Sequence, residues 1–168
     1  MEFTFQHISL GLLVVLTGLS AGLCFTWANA ITPGIGRLDD YGYLMSFQQM
    51  NRTILNPIFF IVFFGPFILG IINLFVFKNT SSSVIWPLGL AVLVYFLGIV
   101  LVTIFGNVPL NEMLDNRDLL TASQEELTTL RNNFEVKWNQ FHLIRTLSAI
   151  ASFIVLIMSL IQITKNNI

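Results

Sequence analysis

The sequence predicts an all-α integral membrane protein: an antiparallel bundle of four spanning helices, with short interfacial helices in its first and third loops. Three observations carry that expectation. Of 168 residues, 55% are hydrophobic and only 10% charged, where an average soluble chain carries about a quarter charged residues. The deficit is not spread evenly but gathered in four stretches, 8–31, 57–77, 84–106 and 143–163, and only the last holds a charge, Arg145 near its start. Each stretch is close to the ~20 residues that cross a hydrocarbon core roughly 30 Å thick. Four spans leave room for one domain, 1–168, and no soluble module. A net charge of −1 provides no basic face for nucleic acid. Cys24, the single cysteine, excludes an internal disulfide and a Cys-rich metal site.

The first stretch is expected to be a retained anchor rather than a leader cleaved after Ala28-Asn29-Ala30. Met1 to His7 carry Glu2 and no Lys or Arg, and the apolar run exceeds the 7–15 residues usual for a signal sequence. Gly18-Leu-Ser-Ala-Gly22, with Gly11, Ala21 and Ala28, gives this helix a small-residue stripe that lets another backbone approach. A neighbouring span of the same chain is the favoured occupant; a homo-oligomer through Gly18 and Gly22 is the other. The chain is then expected to turn at Thr32-Pro33-Gly34. Apolar residues at 44, 47, 50 and 54 predict a short amphipathic helix over Tyr43 to Ile54. Asn56-Pro57 reads as an N-cap and first helical residue of the second span. Pro66, within that span, is expected to kink it and to open space between neighbours.

Lys78 to Ser83 is a short polar loop, and Trp86-Pro87 opens the third span at an interface. At its exit, Gly106-Asn107-Val-Pro109-Leu-Asn111-Glu112, the proline predicts a break or bend, with Asn107 available as a cap. Residues 112–137 hold six acids and three bases, read mostly as a solvated face. Ser123-Gln-Glu-Glu126 has the form of a capping box. Apolar residues at 127, 130, 134, 138 and 141 carry a helical face into the fourth span.

Trp138, His142 and Arg145 fall at i, i+4 and i+7 on that helix and so share a face. An antiparallel four-span topology places both termini on one side. It gathers Trp27, Asn51, Arg52, Asn56, Asn107, Asn111, Glu112, Trp138, His142 and Arg145 at one end. His7, Lys78, Trp86 and Lys165 fall at the other, so His7 lies a membrane thickness from His142 and the two cannot share a haem. With no HExxH and no histidine cluster, neither a metal nor a cofactor is expected. The long-loop end carries six Lys and Arg (37, 52, 117, 131, 137, 145) against two at the other (78, 165), which points it to the cytoplasm.

Three blocks carry a resemblance: Gln49-Met-Asn-Arg52-Thr-Ile-Leu-Asn56-Pro57, Asn107-Val-Pro109-Leu-Asn111-Glu112, and Trp138-Asn-Gln-Phe-His142-Leu-Ile-Arg145-Thr146. In order and spacing they resemble the signature blocks of the anthrone oxygenase-like family, small four-helix membrane proteins found mostly in bacteria, most of them without an assigned function. The last block departs from the more usual Trp-x-x-Trp-Asn-x-x-Arg, with Phe141 and His142 in place of the second Trp-Asn pair. The resemblance implies a bacterial inner-membrane protein. Its fungal and polyketide-pathway members oxidise anthrones to anthraquinones without metal or flavin. If that chemistry is shared, the resemblance implies His142 as the base, with Arg145 and Arg52 as electrostatic groups. Asn51, Asn107 and Asn111 would be hydrogen-bond donors, Trp27 and Trp138 the walls, and Asn56 and Glu112 further contacts to the substrate. Three readings stay open at this point: a site for a small aromatic or quinone-like ligand, a cofactor-independent oxygenase, and a polar network that only holds the bundle together.

Overall fold

The computed structural model describes residues 5–165, all-helical and without strands among them. We label five rods: α1 (Phe5–Ile35), α2 (Asp40–Ile54), α3 (Pro57–Val76), α4 (Ser82–Asp115) and α5 (Gln124–Lys165). α1, α3, α4 and α5 are each long and apolar enough to cross a membrane. α1 packs on α3 and α5, and α4 on the same two, closing a four-membered ring. The beginning of α1, the α3–α4 turn and the end of α5 meet in one apolar cluster that includes Leu10, Phe77, Val84 and Ile163. The ends of the chain therefore approach the same face of the bundle, although residues 3 and 166, where that expectation is best probed, lie outside the described residues.

Two of the expected breaks are not breaks. α1 runs through Thr32-Pro33-Gly34 by way of a π turn, Trp27–Ile31, and the chain turns only between Gly36 and Asp39. Pro33 sits in the first turn of the segment Thr32–Ile35, where its missing N–H costs nothing. α4 likewise continues through Asn107 to Asn111. It is wound as π-helix over Phe96–Leu101 and Thr103–Asn107 and returns to α geometry at Val108–Asp115. The N–H of Val108 bonds to Thr103 O, one carbonyl further back than in an α-helix, and Pro109 follows with no N–H to place. The register change is completed at a residue that has no hydrogen bond to lose. Asn107 makes no capping bond there, which corrects the cap read from sequence.

α2 begins at Asp39, whose carboxylate accepts from the N–H of Gly42 at 2.8 Å, and buries Tyr43, Leu44, Phe47 and Gln48. It hands over to α3 through a single residue, Leu55 (φ −73°, ψ 68°), with the N–H of Asn56 donating to Ile54 O at 2.7 Å. That geometry is an inverse γ-turn. Asn56 caps α3 by accepting from the N–H of Phe59, with Pro57 first in the helix, as the sequence predicts. Pro66 is buried, yet the space beside it amounts to only about 10 Å³. Three residues before Pro66, Phe63 O accepts the Tyr95 hydroxyl at 2.7 Å, and Ser20 Oγ lies 2.7 Å from the same hydroxyl. Because the phenol donates to Phe63, Ser20 is the donor in the second bond, and α1, α3 and α4 are pinned at one point.

The α4–α5 seam is built from small and polar residues. Ala149, Ser152, Leu156, Ser159 and Ile163 recur at spacings of three and four and are all buried. Ser152 Oγ donates to Ala91 O at 2.8 Å and Ser159 Oγ to Val84 O at 3.2 Å, contacts typical of helix pairs in lipid. The seam is tightest at Gly98, where a Cβ would stand 2.0 Å from Ser148 Oγ and 2.4 Å from its Cβ. In α1, Gly18 faces the Phe153 ring of α5, whereas a Cβ on Gly22 would meet nothing within 4 Å. The small-residue stripe is therefore partly used within the chain.

The first half of α5 projects beyond the bundle and is covered by α2. Trp27, Tyr43, Leu44, Phe47, Leu114, Leu127, Phe134 and Trp138 form one core there. The capping box forms as predicted: the N–H of Ser123 donates to Glu126 at 2.8 Å, and that of Glu126 to Ser123 Oγ at 3.3 Å. Arg131 is not part of a solvated face. It donates to Gly36 O and Leu38 O, pairs with Asp40 and Glu135, and lies 4.5 Å from the centre of the Tyr43 ring. Gln48 Nε2 reaches Leu114 O and Arg117 O, both at 3.1 Å, and so ties α2 to the C-terminal end of α4.

Gly98→Ala should lower the thermal unfolding temperature in detergent by the equivalent of about 1–3 kcal/mol, the usual cost of overpacking. Ser148→Gly in the same chain should restore it. The docking of α2 should also weaken in acid. The hydroxyl of Thr128, 2.6 Å away, and then Arg131 hold the Asp40 carboxyl below the usual carboxylate range. A depressed folded pKa means that this contact stabilises above the unfolded value, about 3.9, and is lost as the pH falls through the lower folded value. The protection of α2 amides, taken relative to their intrinsic exchange rate at each pH, should fall between pH 5 and pH 2 by more in wild type than in Asp40→Asn; an equal fall would show that Asp40 does not hold the contact.

Candidate functional site

At the end of the bundle where α2 crosses it, the helices enclose a cavity of about 280 Å³, near the lower limit of ordinary small-molecule pockets, about 300–1,000 Å³. Its aromatic walls come from three rods. The Trp138 and His142 rings of α5 stack, with centroids 4.8 Å apart and planes 18° from parallel. Trp27 of α1 lies 5.8 Å from Trp138, and α3 supplies Phe59 and Phe63. Helical spacing puts Trp138, His142 and Arg145 on one face, as the sequence predicts, and all three line the cavity.

His142 is buried, and its Nε2 lies 3.0 Å from Cys24 O. A carbonyl only accepts, so Nε2 carries the proton and Nδ1 is left as the acceptor. Nδ1 is shielded and has no hydrogen-bond partner. Thr146 braces the arrangement, with its hydroxyl 2.9 Å from His142 O and 3.4 Å from Cys24 O.

The Arg145 guanidinium lies between two rings, 5.7 Å from the centre of Phe63 and 5.8 Å from that of Trp138. Among the described residues no carboxylate pairs with it, and its Nε has no hydrogen-bond partner. The polar side chains in its electrostatic neighbourhood are the Cys24 thiol and the Tyr95 phenol. Arg145 thus pairs neither with Glu112 nor with the asparagines that the topology gathers at the same end. The asparagines turn to Trp138 instead: Asn111 Oδ1 accepts from the indole N–H at 2.7 Å, and Asn107 Nδ2 donates to Trp138 O at 3.2 Å.

Of the residues singled out from sequence, Trp27, Asn51, Arg52, Asn111, Glu112, Trp138, His142 and Arg145 line this cavity. Asn107 is fully buried behind Trp138, and the Asn56 side chain is engaged at the start of α3; neither reaches the cavity. Arg52 stands at the rim, half exposed, and pairs with Asp115 at 2.6 Å. Glu112 is exposed beside it. The sequence reading passed over Asp115, Phe59, Phe63 and Thr103, which also line the cavity. Phe59 and Phe63 had a usable signal, an i, i+4 aromatic pair just inside a span. Among the described residues, no group of three or more His, Cys, Asp or Glu is close enough to hold a metal ion.

The fold and cavity define a class: a helical protein built for the membrane, with an aromatic-walled pocket that places a guanidinium and an imidazole side by side. Residues 59–155, more than half of the chain, match the family model described as anthrone oxygenase, and the chain belongs to that family. The matched region holds the Asn107 and Trp138 blocks; the Gln49 block lies just ahead of it. No curated protein and no solved structure gives a match.

An arginine retained only to hold helices together needs a strong acceptor on another helix, and among the described residues no carboxylate meets Arg145; its neighbour on α1 is the Cys24 thiol, a weak acceptor. Arg145→Leu should leave the unfolding temperature of the ligand-free protein unchanged or raise it, since an uncompensated cation among apolar groups costs several kcal/mol. A loss of about 3–5 kcal/mol, as follows when one partner of a buried ion pair is removed, would instead show that the bundle depends on it.

Proposed function

We propose that the cavity binds a small aromatic ketone or phenol that loses a proton there, and that the protein oxidises an anthrone-class substrate with O₂. The observation that carries this reading is Arg145: a guanidinium without a protein counter-charge, between aromatic rings and one turn from an imidazole with an unpartnered nitrogen. Such a site lacks one thing, a flat anion. An anthrone supplies it, because removal of a proton from the methylene carbon between its rings delocalises the negative charge onto the ketone oxygen.

In this reading His142 Nδ1 takes that proton, and Arg145 pairs with the developing oxyanion in surroundings where charge is poorly screened. O₂ bonds to the deprotonated carbon, and the outer peroxide oxygen receives the proton from His142. Removal of the second hydrogen from the same carbon then forms the new carbonyl and breaks the O–O bond, and the departing hydroxide leaves as water with the proton from His142. Anthrone and O₂ give anthraquinone and water: one oxygen atom ends in the new carbonyl and the other in water. Arg52, Asn51, Asn111 and Glu112 would contact the substrate nearer the rim, with Trp27 and Trp138 as walls. Asn107 and Asn56 would act from behind, through Trp138 and through the position of α3. An inner bacterial membrane, with the long loops in the cytoplasm, belongs to the same reading and is supported by the excess of Lys and Arg at that end.

A second reading, binding without turnover, is favoured by the shielding of Nδ1 and by the bond that holds the ring to Cys24 O. Hydrogen bonds in ligand-free sites often reach working geometry only with substrate in place, so the choice is experimental. O₂ consumption by purified protein in detergent with a simple anthrone should fall about 10²-fold or more in His142→Gln, with the unfolding transition retained. Wild-type uptake no greater than the detergent blank would eliminate turnover. Saturable quenching of tryptophan fluorescence by the same anthrone would then leave binding alone. Uptake unchanged in His142→Gln would remove the histidine as base.

A further inference from the structure

Most threonines in the described helices return their hydroxyls to the backbone, while Thr129 of α5 is exposed to solvent. Thr17 donates to Leu13 O, Thr26 to Gly22 O, Thr53 to Gln49 O and Thr146 to His142 O, all four residues back at 2.7–2.9 Å. Thr32, just after the π turn of α1, reaches five residues back to Trp27 O at 3.1 Å. Thr103 breaks the pattern: its Oγ1 is buried and has no hydrogen-bond partner. It opens the second π turn of α4, Thr103–Asn107, directly after the first, Phe96–Leu101. Back-bonding needs a carbonyl one α turn below, and in a π-wound stretch the ladder is shifted by a residue. Thr103 also lines the same cavity as His142 and Arg145.

A hydroxyl buried without a partner is destabilising, and valine would fill the same space without that cost. We infer that Thr103 is a specificity-determining residue, whose hydroxyl hydrogen-bonds a second, neutral oxygen of the ligand, separate from the one that faces Arg145. Threonine has two rotamers open to it in a helix, so the hydroxyl can turn to the cavity that it lines. Asn51 of α2 supports the assignment, since its Nδ2 is likewise buried without a partner on the wall of this cavity. The site then recognises aromatic ketones carrying a further ring hydroxyl or carbonyl in preference to the bare ring system. This inference rests on the aromatic-ligand reading above.

The test is a ratio of affinities, measured by tryptophan quenching with unsubstituted anthrone and with a ring-hydroxylated anthrone. Wild type should bind the hydroxylated compound about tenfold more tightly, the worth of one good hydrogen bond. Thr103→Val should bring the ratio to about one without lowering the unfolding temperature, and Thr103→Ser should keep it. Thr103→Ala provides the same comparison with less bulk if valine disturbs the fold. A wild type that binds both compounds equally, or a ratio unchanged in Thr103→Val, overturns the role of Thr103 and leaves the aromatic site standing. A wild type that binds neither overturns both.

Discussion

The length of α5 is the constraint on which the remaining structure depends. At 42 residues it is roughly 60 Å long, about twice the thickness of a hydrocarbon core. Half of it must stand outside the lipid, and that half carries Leu127, Phe134 and Trp138 on one face, too apolar to leave to water. α2 covers it, lying across the end of the bundle, while α1 and α4 extend past their own spans to meet the same core. The cavity occurs where this cover joins the membrane helices. Its deep wall is therefore apolar and aromatic, and its rim carries Arg52, Glu112 and Asp115.

The π turns give that join its chemistry. One residue beyond the α register rotates everything downstream by about 100°. In α4, two such stretches, the second ending at Asn107, bring Asn107 and Asn111 onto Trp138. In α1, the π turn begins at Trp27, which packs beside the same indole. Trp138 is thereby held by its indole N–H, by its carbonyl and by neighbouring rings, and its face supports both His142 and Arg145. On the wall of the cavity, Asn51 Nδ2, Thr103 Oγ1, His142 Nδ1 and Arg145 Nε are buried without a hydrogen-bond partner.

Hydropathy, helical period and capping chemistry were readable because each depends on a few adjacent residues. The four spans, the face of α2, the Asn56-Pro57 start of α3 and the Ser123 box all follow from local pattern. The end of the bundle at which the polar residues gather was readable too, because antiparallel topology fixes it. What each of them touches was not, because that depends on rotation about a helix axis, and the π turns change the rotation without a clear mark in the sequence. Prolines 33 and 109 suggested interruptions where helix continues. Several decisive acceptors are main-chain carbonyls, at Cys24, Leu38 and Leu114, and a carbonyl leaves no trace in residue identity. Arg131 looked like one more surface charge for that reason.

Arg131 also bears on how the protein is made. Its partners at Gly36 and Leu38 lie more than ninety positions earlier in the chain, so during synthesis α1 and α2 emerge long before the residue that fastens their connection. Until the ribosome has delivered the start of α5, α2 lacks the Leu127, Phe134 and Trp138 side of its core, and its Tyr43, Leu44 and Phe47 face must be accommodated by the membrane surface or by helper proteins. The pocket is thus the last part of the molecule to exist: the first three spans supply Trp27, Phe59, Phe63 and Thr103, but the wall of Trp138, His142 and Arg145 comes only with the fourth. A translation product halted within the α4–α5 connection would carry most of the membrane-embedded mass and none of His142, Arg145 or Trp138.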